Sequence, residues 1–325
     1  MKQVLVLILG LFLLAIVPLV FPSPFFVHLM IMVLMWTVLG AAWNILGGFG
    51  GQVSFGHATF LGVGAYTTMI LYLKLGIAPW FGIVAGGLVA VVISLPIGFI
   101  CFRLRGPYFS LSTLAVAEIV RLVALNWESL TNGPVGLLIT TLPAITFWGK
   151  LINWESKLPF YYIIAIIAVG ALAATYIVAR TRIGAYLLAL REDIESAESI
   201  GINTVRARVI ALGLSAFLAG AAGGFYALYL RYVDPDAVFS IGLSVEMVFI
   251  AVVGGLATVG GPLIGAVFLV TLGETFREHF LTGHLIFYGF FMMLAIRYMP
   301  DGFWGRFLFL VGKLRPGKGI NHGAS

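Results

Sequence analysis

The sequence predicts an all-α, polytopic integral membrane protein of about ten transmembrane helices, and three observations lead there. Hydrophobic residues make up 61% of the 325 and charged ones only 10%, against about 25% charged in a soluble domain. Apolar stretches of about 20 residues, the length that crosses a bilayer, recur from one end to the other. The arginines gather where those stretches stop, as topology requires, so the net charge of +6 is no sign of a nucleic-acid partner.

Taken in order, the candidate spans are 4–21, 25–46, 53–73, 80–102, 108–125, 160–179, 209–230, 243–259, 262–280 and 284–299. The first begins after Lys2 and resembles a signal peptide. Its apolar run is long, however, and Phe21-Pro22-Ser23-Pro24 is a poor cleavage site, so a retained span is expected. The fifth span is polar, and a glycine-rich break all but fuses the eighth with the ninth. An even count places both termini on one side. With Lys2 cytoplasmic, Arg103, Arg105, Arg180, Arg182, Arg191, Arg206, Arg208, Arg297, Arg306, Lys313, Arg315 and Lys318 fall cytoplasmic too, thirteen of the 19 basic residues. The chain is therefore expected to be one membrane domain, 1–325. It has a charged cytoplasmic loop at 180–208 and a large external loop at 126–159, whose Trp127, Trp148 and Trp154 suit the interface. The lone Cys101, among apolar neighbours, excludes an internal disulfide and reads as packing.

Two glycine-rich interruptions occupy comparable places in the two halves: Gly47-Gly48-Phe49-Gly50-Gly51, and Gly254-Gly255 with Gly260-Gly261-Pro262. Paired breaks are the sequence sign of an inverted repeat with its substrate site at the broken helices. Close helix packing is the competing reading, because Gly82/Gly86, Gly220/Gly224 and Gly261/Gly265 have small-xxx-small spacing.

Polar side chains within apolar spans need a reason, since a charge near the bilayer centre costs about 2.5–3.5 kcal/mol or more. Glu118 and Arg121 are three residues apart on one helical face and pair locally. Alternatively, with Ser110, Ser112 and Thr113, they form a polar wall along a solute pathway. Glu246 follows Ser244 near a helix start, where the dipole favours a carboxylate. Asn44 precedes the first glycine cluster, and Gln52, Ser54 and His57 follow it; Ser54 is a candidate cap. Packing and solute binding both remain open for this group, which joins Glu118, Arg121 and Glu246 as the candidate pathway. The chain has no GxxxxGK[ST], HExxH or GxSxG motif. The histidines lack metal-site spacing. A transport subunit without its own ATPase site, cofactor or metal is expected.

The charged loop holds nine of the chain's 19 basic and 13 acidic residues. From Arg191 it runs Arg-Glu-Asp-Ile-Glu-Ser-Ala-Glu-Ser-Ile-Gly. Ile194, Ala197 and Ile200 recur at helical spacing, Glu192, Asp193, Glu195 and Glu198 line the other faces, and Gly201 is placed as the stop. The acidic face argues against a helix lying on lipid. That leaves a solvated connector, or a helix whose apolar stripe enters a partner's groove.

Six blocks carry a family resemblance, in the family's order: WNILGG (43–48), GQVSFGHATFLGVGAYT (51–67), RLRGPYFSLSTLAVAEIVRLV (103–123), TRIGAYLLALREDIESAESIGIN (181–203), LSAFLAGAAGGFYAL (214–228) and VEMVFIAVVGGLATVGGPLIGA (245–266). The chain resembles the LivM-type permease of branched-chain amino acid ABC importers. The resemblance implies a bacterial inner-membrane protein whose 191–201 helix is the coupling helix seated in a cytoplasmic ATPase subunit. Ala197 and Gly201 match that loop's small residue and glycine. ATP then binds to partner subunits, and a second LivH-like permease and an external solute-binding protein complete the assembly. Gly48-Phe49-Gly50 departs from the tyrosine-bearing turn of many relatives, which bears on the substrate: related permeases carry urea, short amides or other amino acids. The rival function is an ion-coupled carrier that works alone.

Overall fold

The computed structural model describes residues 23–142, 146–147, 150–151, 154 and 156–279, with Pro18, Gly289, Met293, Arg297 and 302–305. The chain forms helices because each apolar run begins and ends on a local signal. Ser23 caps α1 (Pro24–Trp43) by accepting from the Phe26 N–H at 3.2 Å. Proline opens α1, α3 (Pro79–Cys101) and α4 (Pro107–Asn126), where its missing N–H costs nothing. Gly76, at φ +66°, closes α2 (His57–Leu75). The chain continues through α5 (Leu158–Arg180), α6 (Arg182–Glu192), α7 (Ile194–Ser199), α8 (Thr204–Leu230), α9 (Ile241–Gly254) and α10 (Gly261–His279).

Seven helical stretches among the described residues are long and apolar enough to cross a membrane, the first Pro24–Phe49 and the last Pro235–Gly254. The apolar helix Gly261–Phe276 is shorter. These eight fall on the second to ninth expected spans. The first expected span and Trp148 lie outside the described residues, as does the tenth span apart from isolated positions. The helical reading misses two short antiparallel pairings, Leu137–Leu138 with Tyr232–Val233 and Thr146–Phe147 with Lys150–Leu151. Trp154 stacks on Trp80 with ring centroids 4.7 Å apart, so its indole packs within the protein.

The core is built round α8, of whose apolar window 72% is buried. Glycines let it lie against α2 and α3: the Gly220 carbonyl rests on Gly64, and a Cβ at Gly220 would stand 2.7 Å from the Ala90 Cβ and 2.9 Å from the Gly86 oxygen. Gly82, Gly86, Gly220, Gly224, Gly261 and Gly265 all meet a neighbouring element in this way, which is the packing reading of their spacing. By contrast, only 22% of the α4 window is buried. The loop at 181–203 defines a charged end of the bundle; the pairing of Leu137–Leu138 with Tyr232–Val233 lies at the opposite end.

We expect Gly220→Val to force α8 away from α3 at a cost of about 1–3 kcal/mol. A lowered thermal midpoint of the detergent-solubilised protein, with Gly170→Ala unchanged because nothing lies within 4 Å of it, checks this.

Candidate functional site

At the charged end α1 does not stop cleanly. It passes into a π-helical turn, Asn44–Phe49, in which Gly47 sits over the Trp43 indole and Gly48 over the Asn44 amide. Such turns recur at functional sites. The chain then runs without regular secondary structure from Gly50 to Gly56 and doubles back into the protein. His57, which opens α2, meets Ser215, and Ser215 donates to the Ala42 carbonyl, seven residues back from Phe49. At a helical rise this places the start of α2 about 10 Å inside the end of the π turn.

Irregular backbone at that depth survives only if its polar groups are paired within the protein, and side chains supply the partners. The Phe55 N–H donates to Thr113 Oγ1 at 3.1 Å, Ser110 Oγ donates to the Val53 carbonyl at 2.6 Å, and Trp43 Nε1 donates to the Ser54 carbonyl at 2.8 Å. Ser54 Oγ accepts from the Gly56 N–H at 3.2 Å, and Ser244 of α9 accepts from the Ala58 N–H at 2.9 Å. Ser110 and Thr113, which one of the two readings placed in a solute wall, are thus turned to the re-entrant segment. Ser112 is bonded within its own helix, to the Phe109 carbonyl.

His57 is fully buried, and its bonds fix its tautomer. Because Ser215 Oγ gives its hydrogen to Ala42, it accepts from His57 Nε2–H at 2.8 Å, leaving Nδ1 to accept from Ser54 Oγ at 3.1 Å. Every member of this chain is paired within the protein, so the network is closed.

Asn44 joins the two glycine breaks. Its Nδ2 donates to the Thr258 carbonyl and its Oδ1 accepts from the Ala257 N–H, both at 2.9 Å. Ala257 lies at φ +56°, a left-handed conformation that a non-glycine residue adopts only when held. Thr258 Oγ1 in turn donates to the Gly255 carbonyl at 2.7 Å and accepts from the Gly261 N–H at 3.1 Å. The breaks, far apart in sequence, are one structure at the charged end.

The charged loop departs from the single helix expected over 191–201. Arg191 and Glu192 finish α6, and the chain breaks at Asp193, which is extended and caps α7 by accepting from the Ser196 N–H at 2.6 Å. The Asp–Glu-rich run hid this N-cap signature. The apolar stripe is divided as well. Ala197 is buried against its own chain and Ile194 is half-buried, while Ile200 is 75% exposed. Gly201 follows at φ +84° and ends α7. Glu192 is exposed, Glu195 pairs with Arg105 at 2.9 Å, and Glu198 accepts from Thr204 Oγ1 at 2.8 Å. Arg191 turns inward: its Nη1 donates to the Gly48 carbonyl of the π turn at 2.9 Å.

Asn44, Ser54 and His57 are buried, and Ser54 borders a small cavity of about 10 Å³ with Gly56, Thr59, Phe60 and Thr113. Gln52 lies at a larger opening. With Gly51, Val53, Pro107, Ser110 and Leu111 it borders an open groove of about 500 Å³ beside the start of α4. Farther along α4, Arg121 grips Glu118 through Nε at 2.9 Å and Nη2 at 2.5 Å. Its Nη1 also bonds Asp236, which makes an anionic triad of the expected local pair. Glu246, half-buried on α9, acts electrostatically on the Tyr226 phenol.

Sequence reading missed Ser215, Thr258 and Asp236, since nothing local ties them to partners more than a hundred residues away. It also missed Arg208, buried in α8 with Nε and Nη2 lacking an acceptor among the described residues and with Glu198 and Arg105 nearby.

Residues 25–296 match a family described as "Branched-chain amino acid transport system / permease component". The chain is 28% identical over 339 residues to the high-affinity branched-chain amino acid transport permease protein LivM of Escherichia coli, covering 97% of this chain and 78% of that protein. It is 29% identical over 290 residues to LivM of Salmonella typhimurium, covering 83% and 68%. LivH of the same organism is 23% identical over 83% of this chain and 91% of its own length.

Asn44→Ala is expected to strip Ala257 and Thr258 of partners at a cost of about 1–3 kcal/mol, read as faster amide exchange confined to 255–260. A second expectation concerns pH. The Ser196 backbone N–H holds the Asp193 carboxyl below its ordinary 3.8. Its support of α7 is therefore complete above that value and fades as pH falls through the lowered one. Asp193→Asn should remove this pH dependence while keeping the cap, as followed by exchange of the Ser196 amide.

Proposed function

The chain belongs to the branched-chain amino acid transport permease family, a permease subunit of an ABC importer, and we propose that it forms one wall of the pathway for branched-chain amino acids. The observation that carries this reading is the triad that Glu118 and Arg121 of α4 form with Asp236, α4 being the least buried of the seven spanning helices among the described residues. Charges on a face turned to lipid are costly, whereas the same face is at ease against a second permease subunit with a wetted passage between them. Gln52, Glu118 and Arg121 line this passage. Asn44, Ser54 and His57 frame it from behind, and Glu246 stands on the neighbouring α9.

The partner across α4 is LivH-like, consistent with this chain's likeness to LivH proteins. The chain has ten spans in a bacterial inner membrane, with both termini and the loop at 180–208 in the cytoplasm and the loop at 126–159 outside, where a solute-binding protein docks. Separate ATPase subunits bind ATP. One of them receives α7, with Ile200 as the apolar contact, Glu192, Glu195 and Glu198 around it, and Gly201 shaping its end. Ala197 and Ile194 hold α7 to its own subunit, and Arg191 and Asp193 set the geometry of its approach. ATP-driven closure of the ATPases moves α7 and shifts the population of two pathway conformations.

Vesicles containing the permease pair, the ATPases and the binding protein should take up leucine only with ATP inside the complex's reach. Uptake by this chain alone under a proton or sodium gradient overturns the reading. Ile200→Glu should lower ATP-driven uptake at least tenfold and abolish co-purification with the ATPase. Insertion should be unchanged, because the side chain is exposed.

A further inference from the structure

We infer that Arg191 is the positioning residue through which movement of the loop reaches both glycine breaks. The inference rests on the coupling role proposed for α7 and identifies the route of transmission beyond it.

Three contacts in series make the argument. First, α6 is seated on the re-entrant segment as a solid piece. Leu187 and Leu190 are buried, a Cβ at Gly50 would meet Leu187 Cδ2 at 3.4 Å, and one at Gly51 would meet Arg191 Cγ at 2.9 Å. Gly51, at φ +66°, lets the backbone pass this close. Secondly, at the very end of α6 the Arg191 guanidinium donates to the Gly48 carbonyl at 2.9 Å, and a hydrogen bond from a charged donor is about twice as strong as a neutral one. Thirdly, Gly48 lies against the Asn44 amide, which holds Ala257 and Thr258 of the second break, each at 2.9 Å. A Cβ at Gly48 would run into Asn44 Oδ1 and stand 2.8 Å from the Ala257 nitrogen, so these groups have no slack.

The break at Asp193 gives the series its mechanical sense. α7, outside the break, presents Ile200, whereas α6, inside it, ends on the π turn. A displacement of α7 reaches α6 over the one extended residue between them, Asp193, and Arg191 stands two residues before it in the last turn of α6. From there the Gly48 carbonyl and the Asn44 amide carry it to 255–258. One donor thus links a docking element to both irregular segments of the membrane region.

The test uses the reconstituted complex and reads two quantities, binding-protein-stimulated ATP hydrolysis and leucine taken up per ATP hydrolysed. In Arg191→Met the fold stimulation of hydrolysis by the binding protein should fall, since coupling acts in both directions, and uptake per ATP should fall about tenfold. Arg191→Lys, which keeps one charged donor, should recover part of the ratio. A merely structural role would lower hydrolysis and uptake together and leave their ratio unmoved. That result, or a wild-type ratio in Arg191→Met, overturns the inference. Should Arg191→Met fail to assemble, the Arg191→Lys ratio decides: a fall supports the route and a wild-type ratio counts against it. If the wild-type complex shows no ATP-driven uptake at all, the importer reading itself has failed, a different result from loss of coupling in the variant alone.

Discussion

Pairing every backbone polar group away from water is the constraint on which the rest of this structure depends. A continuous helix meets it automatically, and among the described residues two glycine-rich segments within the membrane region depart from it. At the first, residues 50–56 turn back beside α1, and their amides and carbonyls are met by Thr113, Ser110, Ser54 and the Trp43 indole. At the second, Asn44 and Thr258 perform the same service. The polar residues of the interior are explained first by this demand, and only afterwards by what passes through the membrane.

The bundle divides its helices between two duties. Helices α2, α3 and α8 pass so closely that backbone lies on backbone at Gly64, Gly86 and Gly220, which gives a stiff centre made from small residues. Helix α4 contributes little to that centre and keeps its charged and apolar side chains on an open face. It nevertheless holds the re-entrant segment through Ser110 and Thr113. The outward face and the irregular interior are therefore attached to the same helix.

Much of this was legible in the sequence, and the remainder was not for identifiable reasons. Spans show as apolar runs, and breaks show as clustered glycine. Asn44, Ser54 and His57 stand out because they are polar among apolar neighbours. Their partners do not, because Ser215 and Thr258 come from 158 and 214 residues away and look like ordinary small residues. The meeting of the two breaks is a tertiary fact of the same kind. The split of the charged loop at Asp193 was accessible in principle, since Asp followed three residues later by Ser is a helix start. Helical spacing of Ile194, Ala197 and Ile200 obscured it. The same spacing treats the three as equals, though burial separates them: Ala197 faces inward and Ile200 outward.

The open face of α4 also bears on how much of this protein a cell can keep. A copy without a neighbour exposes a triad of one cation and two carboxylates, along with Leu111, Ile119 and Val123, on a helix that its own chain barely covers. Whatever covers that face stabilises the folded subunit by mass action, so its survival in the membrane follows the supply of its neighbour. In the proposed pairing with a second permease, the abundance of the two subunits would then be matched after synthesis, through the lifetime of unassembled copies.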